Sequence, residues 1–152
     1  PEKLEGANAY WCESCKALCD AQRSSFVKHL PPVVVFSISR TRWTMRSGKC
    51  KDERWVEFPH TWIPSQLLAD LMPSSTQDQQ DQRDPAQDTY HLRAVVSHSG
   101  CFTDVGHYFT YVLAPPGASK GEEWHMLNDS RVTRVSQSHV TDCQAYMLFY
   151  ER

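Results

Sequence analysis

The sequence predicts a mostly antiparallel α+β fold, and three observations carry that reading. About six short stretches have the β-branched or alternating character of strands, against one or two with helical spacing. Apolar residues make up 40% of the 152 positions and aromatics 11%, which is enough to build a core and excludes a disordered chain. No apolar run approaches the ~20 residues needed to cross a bilayer, and the N-terminal segment lacks the pattern of a secretory leader, so a soluble chain is expected. Sixteen Lys and Arg against eighteen Asp and Glu give a net charge of −2 without a basic stripe, which excludes nucleic acid as the main partner. The length suits one folding unit or part of one, and Pro1-Glu2-Lys3, without an initiator Met, reads as a chain cut from something longer.

In order along the chain, residues 26–30 are short and mixed and Pro31-Pro32 interrupts them. The β-branched run from Val33 to Arg40 then reads as a buried strand. Residues 41–54, rich in Arg, Lys and Ser, show neither period and read as a long loop or a hairpin. Trp55-Val56-Glu57-Phe58-Pro59 is a short alternating strand closed by its proline. Residues 64–72 have a Pro in the first turn and Leu at helical spacing, which predicts a short helix. From 73 to 88 the composition falls to Ser, Thr, Gln, Asp and Pro with little that is apolar, the mark of a flexible polar insertion. Residues 90–97 and 107–113 are strands joined by a loop with two glycines. Residues 123–127 and 131–135 are strands around the turn Asn128-Asp129-Ser130, a helical turn follows at 136–140, and 145–150 is a final strand.

Two clusters carry chemistry. Gly106-His107-Tyr108-Phe109-Thr110-Tyr111 puts a histidine at the first position of a strand straight after a glycine-containing loop, where it can project into a cleft at the sheet's rim. Alternation puts Tyr111 on the face of His107 and Tyr108 on the other. Asn128 lies 21 positions further on, at a turn where a hairpin returns the chain beside His107. An Asn or Asp that orients an imidazole is the third member of a Cys–His–Asn/Asp system, although each piece alone reads equally as a strand end and a turn. The second cluster is Cys12-x-x-Cys15-x-x-x-Cys19, whose local spacing, with Cys50, Cys101 and Cys143 scattered, suits a reduced intracellular protein with a metal or redox motif.

In this order the residues resemble the C-terminal part of the catalytic domain of a ubiquitin-specific protease, a papain-like cysteine deubiquitinase. The resemblance runs through Leu4 to Asn8 with Tyr10-Trp11-Cys12-Glu13-Ser14-Cys15, then Leu30-Pro31-Pro32-Val33-Val34-Val35 and Val56-Glu57-Phe58-Pro59. It continues through Tyr90 to Gly100, Gly106-His107-Tyr108, Trp124 to Ser130 and Ala145 to Arg152. It implies a palm-and-fingers-like antiparallel sheet and a single partial domain over 1–152, with 73–88 outside the shared pattern.

By the resemblance His107 is the general base and acid, Asn128 orients it and Asp129 supports the geometry. Gly106, Tyr108, Tyr111 and His98 are the candidate substrate-binding residues, and the loops at 41–54 and 98–105 cover the ubiquitin tail. The family's nucleophile lies in a Gly-Asn-Thr-Cys-type box, and these 152 residues contain none, so the N-terminal half of the catalytic domain is the implied partner of this chain. Cys12 and Cys15 match the second half of the family's zinc site, which implies a structural zinc that this chain completes only with an upstream pair; no cofactor is required for catalysis. The implied activity is hydrolysis of the bond after the C-terminal Gly of ubiquitin, in the cytoplasm or nucleus. Two rivals remain: a catalytically inactive ubiquitin-binding scaffold of the same fold, and a zinc-ribbon interaction domain.

Overall fold

The computed structural model describes residues 1–45, 48–64, 89–102, 105–115, 117 and 121–152. The helix expected over 64–72 falls, from residue 65 on, outside the described residues, as does the insertion expected at 73–88. The described residues fall into two compact units.

The first unit contains Pro1–His29. Strand β1 (Glu2–Leu4) pairs antiparallel with β4 (Ala21–Arg23), and β2 (Tyr10–Cys12) pairs with β3 (Ala17–Cys19). The turn between β2 and β3 closes with the Lys16 N–H donating to the Cys12 carbonyl at 2.8 Å, and Lys16 itself takes the left-handed φ of +52°. Sequence periodicity missed all four strands, because three residues are too few to show alternation.

The second unit contains Leu30–Pro64 and the chain from 89 onward. Its framework is a seven-stranded antiparallel sheet in the order β12, β11, β10, β9, β13, β5, with β8 (Thr61–Trp62) also paired to β9. These strands are β5 (Val33–Ser37), β9 (Tyr90–Ser99), β10 (His107–Leu113), β11 (Trp124–Asn128), β12 (Arg131–Val135) and β13 (Ala145–Glu151). A two-stranded hairpin, β6 (Thr41–Thr44) with β7 (Gly48–Lys51), settles the alternative left open for 41–54. A one-turn helix, α1 (Gln137–Thr141), is capped by Ser136, whose hydroxyl accepts from the His139 N–H.

Two expectations are corrected. The run starting at Val33 is not a fully buried strand: β5 pairs only with β13, at the sheet's edge, and its residues alternate, with Val33 and Val35 exposed and Val34 and Phe36 turned inward. An unbroken apolar run is therefore compatible with one-sided burial. Residues 55–59 form no strand; instead Phe58 is buried and the Pro59 carbonyl accepts from the Tyr150 hydroxyl at 2.6 Å. Proline there has no N–H to leave unpaired and offers an acceptor.

The core is aromatic. Trp62 stacks on Tyr90 with ring centres 4.9 Å apart, and Phe36 meets Trp62 and Tyr150 edge-on at 5.6 and 5.8 Å. Leu92, Val95, Trp124, Val140, Ala145 and Tyr150 are also buried. Burial raises the Tyr150 hydroxyl to about 12. The buried Arg40 fastens the loop after β5 to the sheet: its Nε and Nη2 donate to the Ala145 carbonyl at 3.0 and 2.9 Å, and its Nη1 to the carbonyls of Asp52 and Arg54. No described helix is long and apolar enough to cross a membrane.

Candidate functional site

His107 opens β10, and Asn128 ends β11. The two strands pair from Thr110 opposite Leu127, so Asn128, one residue past that pair, reaches back along the sheet to the imidazole. The His107 Nε2 lies 2.6 Å from the Asn128 Oδ1. A carbonyl oxygen only accepts, so Nε2 carries the proton and Nδ1 is left with the lone pair of the neutral ring. Asp129, at the hairpin turn with φ of +52°, places a carboxylate oxygen 3.7 Å from the same Nε2. The imidazole is about half exposed, at 45%.

The other candidate residues stand around this pair in different ways. His98 lies opposite Tyr108 across β9 and β10 and is 4% exposed. Burial, then the nearby charges of Lys51 and His107, lowers its pKa, which favours the neutral ring. Its ring lies 4.5 Å from that of Tyr108 and 5.3 Å from that of Tyr146, forming a three-ring wall with the half-exposed Tyr108 outermost. Gly106 is fixed by contact: a Cβ there would lie 2.3 Å from the His98 Nε2 and 2.4 Å from the Ser99 carbonyl oxygen. Tyr111 is 3% exposed, packed on Phe109 and His139 on the inner face, and burial raises its hydroxyl to about 12. The strand that presents His107 at its start thus turns Tyr111 into the core.

Sequence reasoning missed Tyr146. It is the extra residue where β13 slips against β9, between the pairs Ala145 with Ser97 and Met147 with Val96. A bulge re-aims one side chain, and this one turns Tyr146 onto His98. A bulge has no signature in hydrophobic alternation, so no sequence signal marked it. Among the described polar atoms, the His98 Nδ1 and the Tyr146 hydroxyl are both buried without a hydrogen-bond partner.

Of the six cysteines, all are free thiols. Cys143 is partly buried and its thiol is pushed up to about 11, chiefly by burial, which disfavours the thiolate at neutral pH. His107's polar partners among the described residues are Asn128 and Asp129.

The first unit brings together the metal candidates. The Sγ atoms of Cys12, Cys15 and Cys19 lie within 4.8 Å of one another, with Cys19 reaching the pair from β3. Cys12 is held below its usual value, first by the backbone N–H of Cys15, then by the Cys15 thiol and the Ser14 N–H; Cys15 is raised in turn because its thiol donates to Cys12. Backbone donors aimed at one sulfur, with two more thiols beside it, suit a thiophilic divalent ion such as zinc.

An imidazole held by a side-chain amide at the rim of an antiparallel sheet is an arrangement able to take up and return a proton at its other ring nitrogen. The comparisons with known proteins add the lineage. The family "ubiquitin carboxyl-terminal hydrolase" matches residues 4–150, and the chain belongs to this family. It is 36% identical over 153 residues to ubiquitin carboxyl-terminal hydrolase 21 of Arabidopsis thaliana, covering 99% of this chain and 18% of that protein. It is 34% identical to ubiquitin carboxyl-terminal hydrolase 2 of Gallus gallus, covering 97% of this chain and 36% of that one. Among solved structures it resembles the SAGA Ubp8/Sgf11/Sus1/Sgf73 DUB module bound to ubiquitin aldehyde, with a TM-score of 0.71 and 25% identity over 99% of this chain and 30% of that one. The chain thus spans well under half the length of the relatives it matches.

Proposed function

We propose that this chain is the histidine- and asparagine-bearing part of a thiol-dependent deubiquitinase domain, a single partial domain whose nucleophilic cysteine lies in a preceding segment. The observation that carries this is the 2.6 Å contact between His107 Nε2 and Asn128 Oδ1. It leaves Nδ1 as the base that takes the thiol proton and, as the imidazolium, returns it to the departing amine. The thiolate attacks the carbonyl carbon after ubiquitin's last Gly, the tetrahedral intermediate expels the lysine amine, and water then releases the acyl group by the same base. Asn128 orients the ring without adding charge; Asp129 supplies a carboxylate nearby. Tyr108, with His98 behind it and Gly106 leaving room, forms the wall for the extended ubiquitin tail, and Tyr111 holds that strand from inside.

The partners under this reading are ubiquitin, ubiquitinated proteins and the N-terminal half of the same catalytic domain. Two solved relatives support it, a Ubp8 module bound to monoubiquitin and one bound to ubiquitin aldehyde. Cys12 and Cys15, with Cys19 alongside, would supply part of the ligand set of a structural zinc that an upstream pair completes and that takes no part in the chemistry. Six free thiols fit a reducing, intracellular setting. By itself the chain is proposed to be inactive.

The test is intact-mass analysis after incubation with ubiquitin carrying a thiol-reactive C-terminus, first with this chain alone and then with the preceding segment added. An adduct that forms only in the mixture, on a cysteine of the added segment, and that His107→Ala abolishes, is the expected result. An adduct on this chain alone would place the nucleophile among its own six cysteines and overturn the reading. No adduct in either case would favour a ubiquitin-binding scaffold.

A further inference from the structure

One side chain ties together two segments of the second unit that lie 47 residues apart in sequence. Lys51 is the last residue of β7, and its Nζ donates to the carbonyl of His98 at 3.0 Å and to that of Gly100 at 2.7 Å. The same ammonium stands 5.7 Å from the centre of the Tyr146 ring. Gly100 lies just past the end of β9, so its carbonyl is beyond the ladder, and Lys51 provides a charged donor there.

Both carbonyls belong to the neck of the loop that leads into His107. A Cβ on Gly100, whose φ is +129°, would lie 2.9 Å from the Val105 carbonyl oxygen and 3.1 Å from the Gly106 Cα. The two ends of the loop therefore touch backbone to backbone, and only glycine permits it. Gly106 rests in turn on His98, and His107, the next residue, faces Ser99 in register. Gly100, Gly106 and the first residue of β10 thus form one closely packed run of backbone, along which a shift of Gly100 would be passed on.

We propose that Lys51 is a positioning residue for His107: by clamping the carbonyls of His98 and Gly100 it fastens the β6–β7 hairpin to the neck below His107, so that the two segments move as one body. That the imidazole is a working base rests on the functional reading above; the clamp itself does not.

The experiment uses the full-length protein that carries this chain, as Lys51→Met and Lys51→Arg. Methionine keeps the aliphatic stem and removes the charge and all donors; arginine restores donors that can reach two carbonyls. Residue-resolved hydrogen exchange is read at Gly100, Gly106 and His107, with Val95 and Leu148 in the sheet as references. Expected in K51M is an increase of about tenfold or more at the three neck amides, the scale of one lost charge-assisted hydrogen bond, with the references unchanged. K51R should recover at least part of the protection. Neck amides that stay protected in K51M, references that loosen equally, or no recovery in K51R would overturn the clamp. Hydrolysis of a fluorogenic ubiquitin C-terminal amide supplies the second readout: kcat falls further than KM rises in K51M. A loss carried by KM alone would make Lys51 a substrate contact and overturn its positioning role. If the unaltered protein hydrolyses nothing, the functional reading fails while the exchange data still decide the clamp.

Discussion

Replacing Gly106 by alanine adds one methyl group at the tightest point beside His107. On this backbone the new Cβ lies 2.3 Å from the His98 Nε2, 2.4 Å from its Cε1 and 2.4 Å from the Ser99 carbonyl oxygen, where ordinary contact begins at 3.4 Å. Neither neighbour is a loose end. The oxygen belongs to β9, and the His98 ring is buried against Tyr108 and Tyr146. The start of β10 therefore has to retreat by about 1 Å, an overpacking that costs about 1–3 kcal/mol. At about 2–4 °C per kcal/mol for a chain of this size, a mid-range cost lowers Tm by about 4–8 °C. The same retreat carries His107 away from Asn128 and opens a 2.6 Å hydrogen bond toward lengths at which it no longer orients the ring. A misplacement of about 1 Å at a reacting group costs on the order of 10²-fold in kcat. The assay pairs thermal melting by circular dichroism with turnover of a ubiquitin C-terminal amide by the full-length protein. Gly121→Ala is the control, since a Cβ there meets nothing within 4 Å among the described residues, and its Tm should not move. A Gly106→Ala protein that melts with the unaltered one and keeps its kcat would refute the steric argument.

Asn128→Ala removes the acceptor that fixes the His107 tautomer and should lower kcat by roughly 10- to 100-fold with little change in KM. Asn128→Asp keeps the acceptor and adds a charge that favours the imidazolium, so the acid limb of the kcat/KM profile should move to higher pH; a profile that does not move would count against direct contact. The Arg54 side chain, with its backbone N–H and Arg42, holds the Asp52 carboxyl well below the usual carboxylate range. A depressed native value means stability that is complete above the unfolded value near ~4 and lost as pH falls through the native value, so Asp52→Asn should flatten Tm against pH on the acid side. Melting curves that run parallel for the two proteins would sink this. Arg40→Met leaves the carbonyls of Ala145 and Asp52 without their donor and should lower stability by about 3 kcal/mol or more, read as a lower urea midpoint at unchanged slope. Cobalt(II) titration should give a sulfur-to-metal charge-transfer band that Cys12→Ser diminishes and Cys50→Ser does not, and acid should abolish it as the thiolates protonate.

How much of this was readable in the sequence depended on length and on locality. The strands from His107 to Leu113 and from Arg131 to Val135 were placed to the residue, and those at 90–99, 124–128 and 145–151 within one or two, because each holds several alternating apolar positions. The three-residue strands of the first unit and the two-residue β8 hold too few positions to carry a period. The segment at 55–59 misled for the opposite reason: its sequence reads as alternating, yet the loop is held by Trp55 donating to the Thr141 carbonyl and by the Pro59 carbonyl accepting from Tyr150, with no ladder among its described residues. Of its apolar residues Phe58 alone is buried, Trp55 and Val56 being exposed, so alternation over so short a stretch marked neither a strand nor an inward face.

The site divides along the same line. His107 and Asn128 were legible because a strand start and a hairpin turn are local features, and antiparallel pairing needs only their spacing to bring them together. Lys51 and Tyr146 were not, since each acts through a long-range relation: one reaches carbonyls 47 and 49 residues away, the other is turned by a slip in register. Arg40 is of the same kind, spanning 105 residues to the Ala145 carbonyl next to that slip. The bulge at Tyr146 and the Arg40 bonds to Ala145 are therefore one device. The guanidinium takes up the carbonyl of the residue at which the β13–β9 register slips, and the freed register turns Tyr146 toward His98. Under the proposed function the proton-transferring His107 and the Asn128 that orients it lie 21 residues apart, whereas Arg40, Lys51 and Tyr146 are gathered from the loop after β5, from β7 and from β13, and only the folded sheet shows them as neighbours.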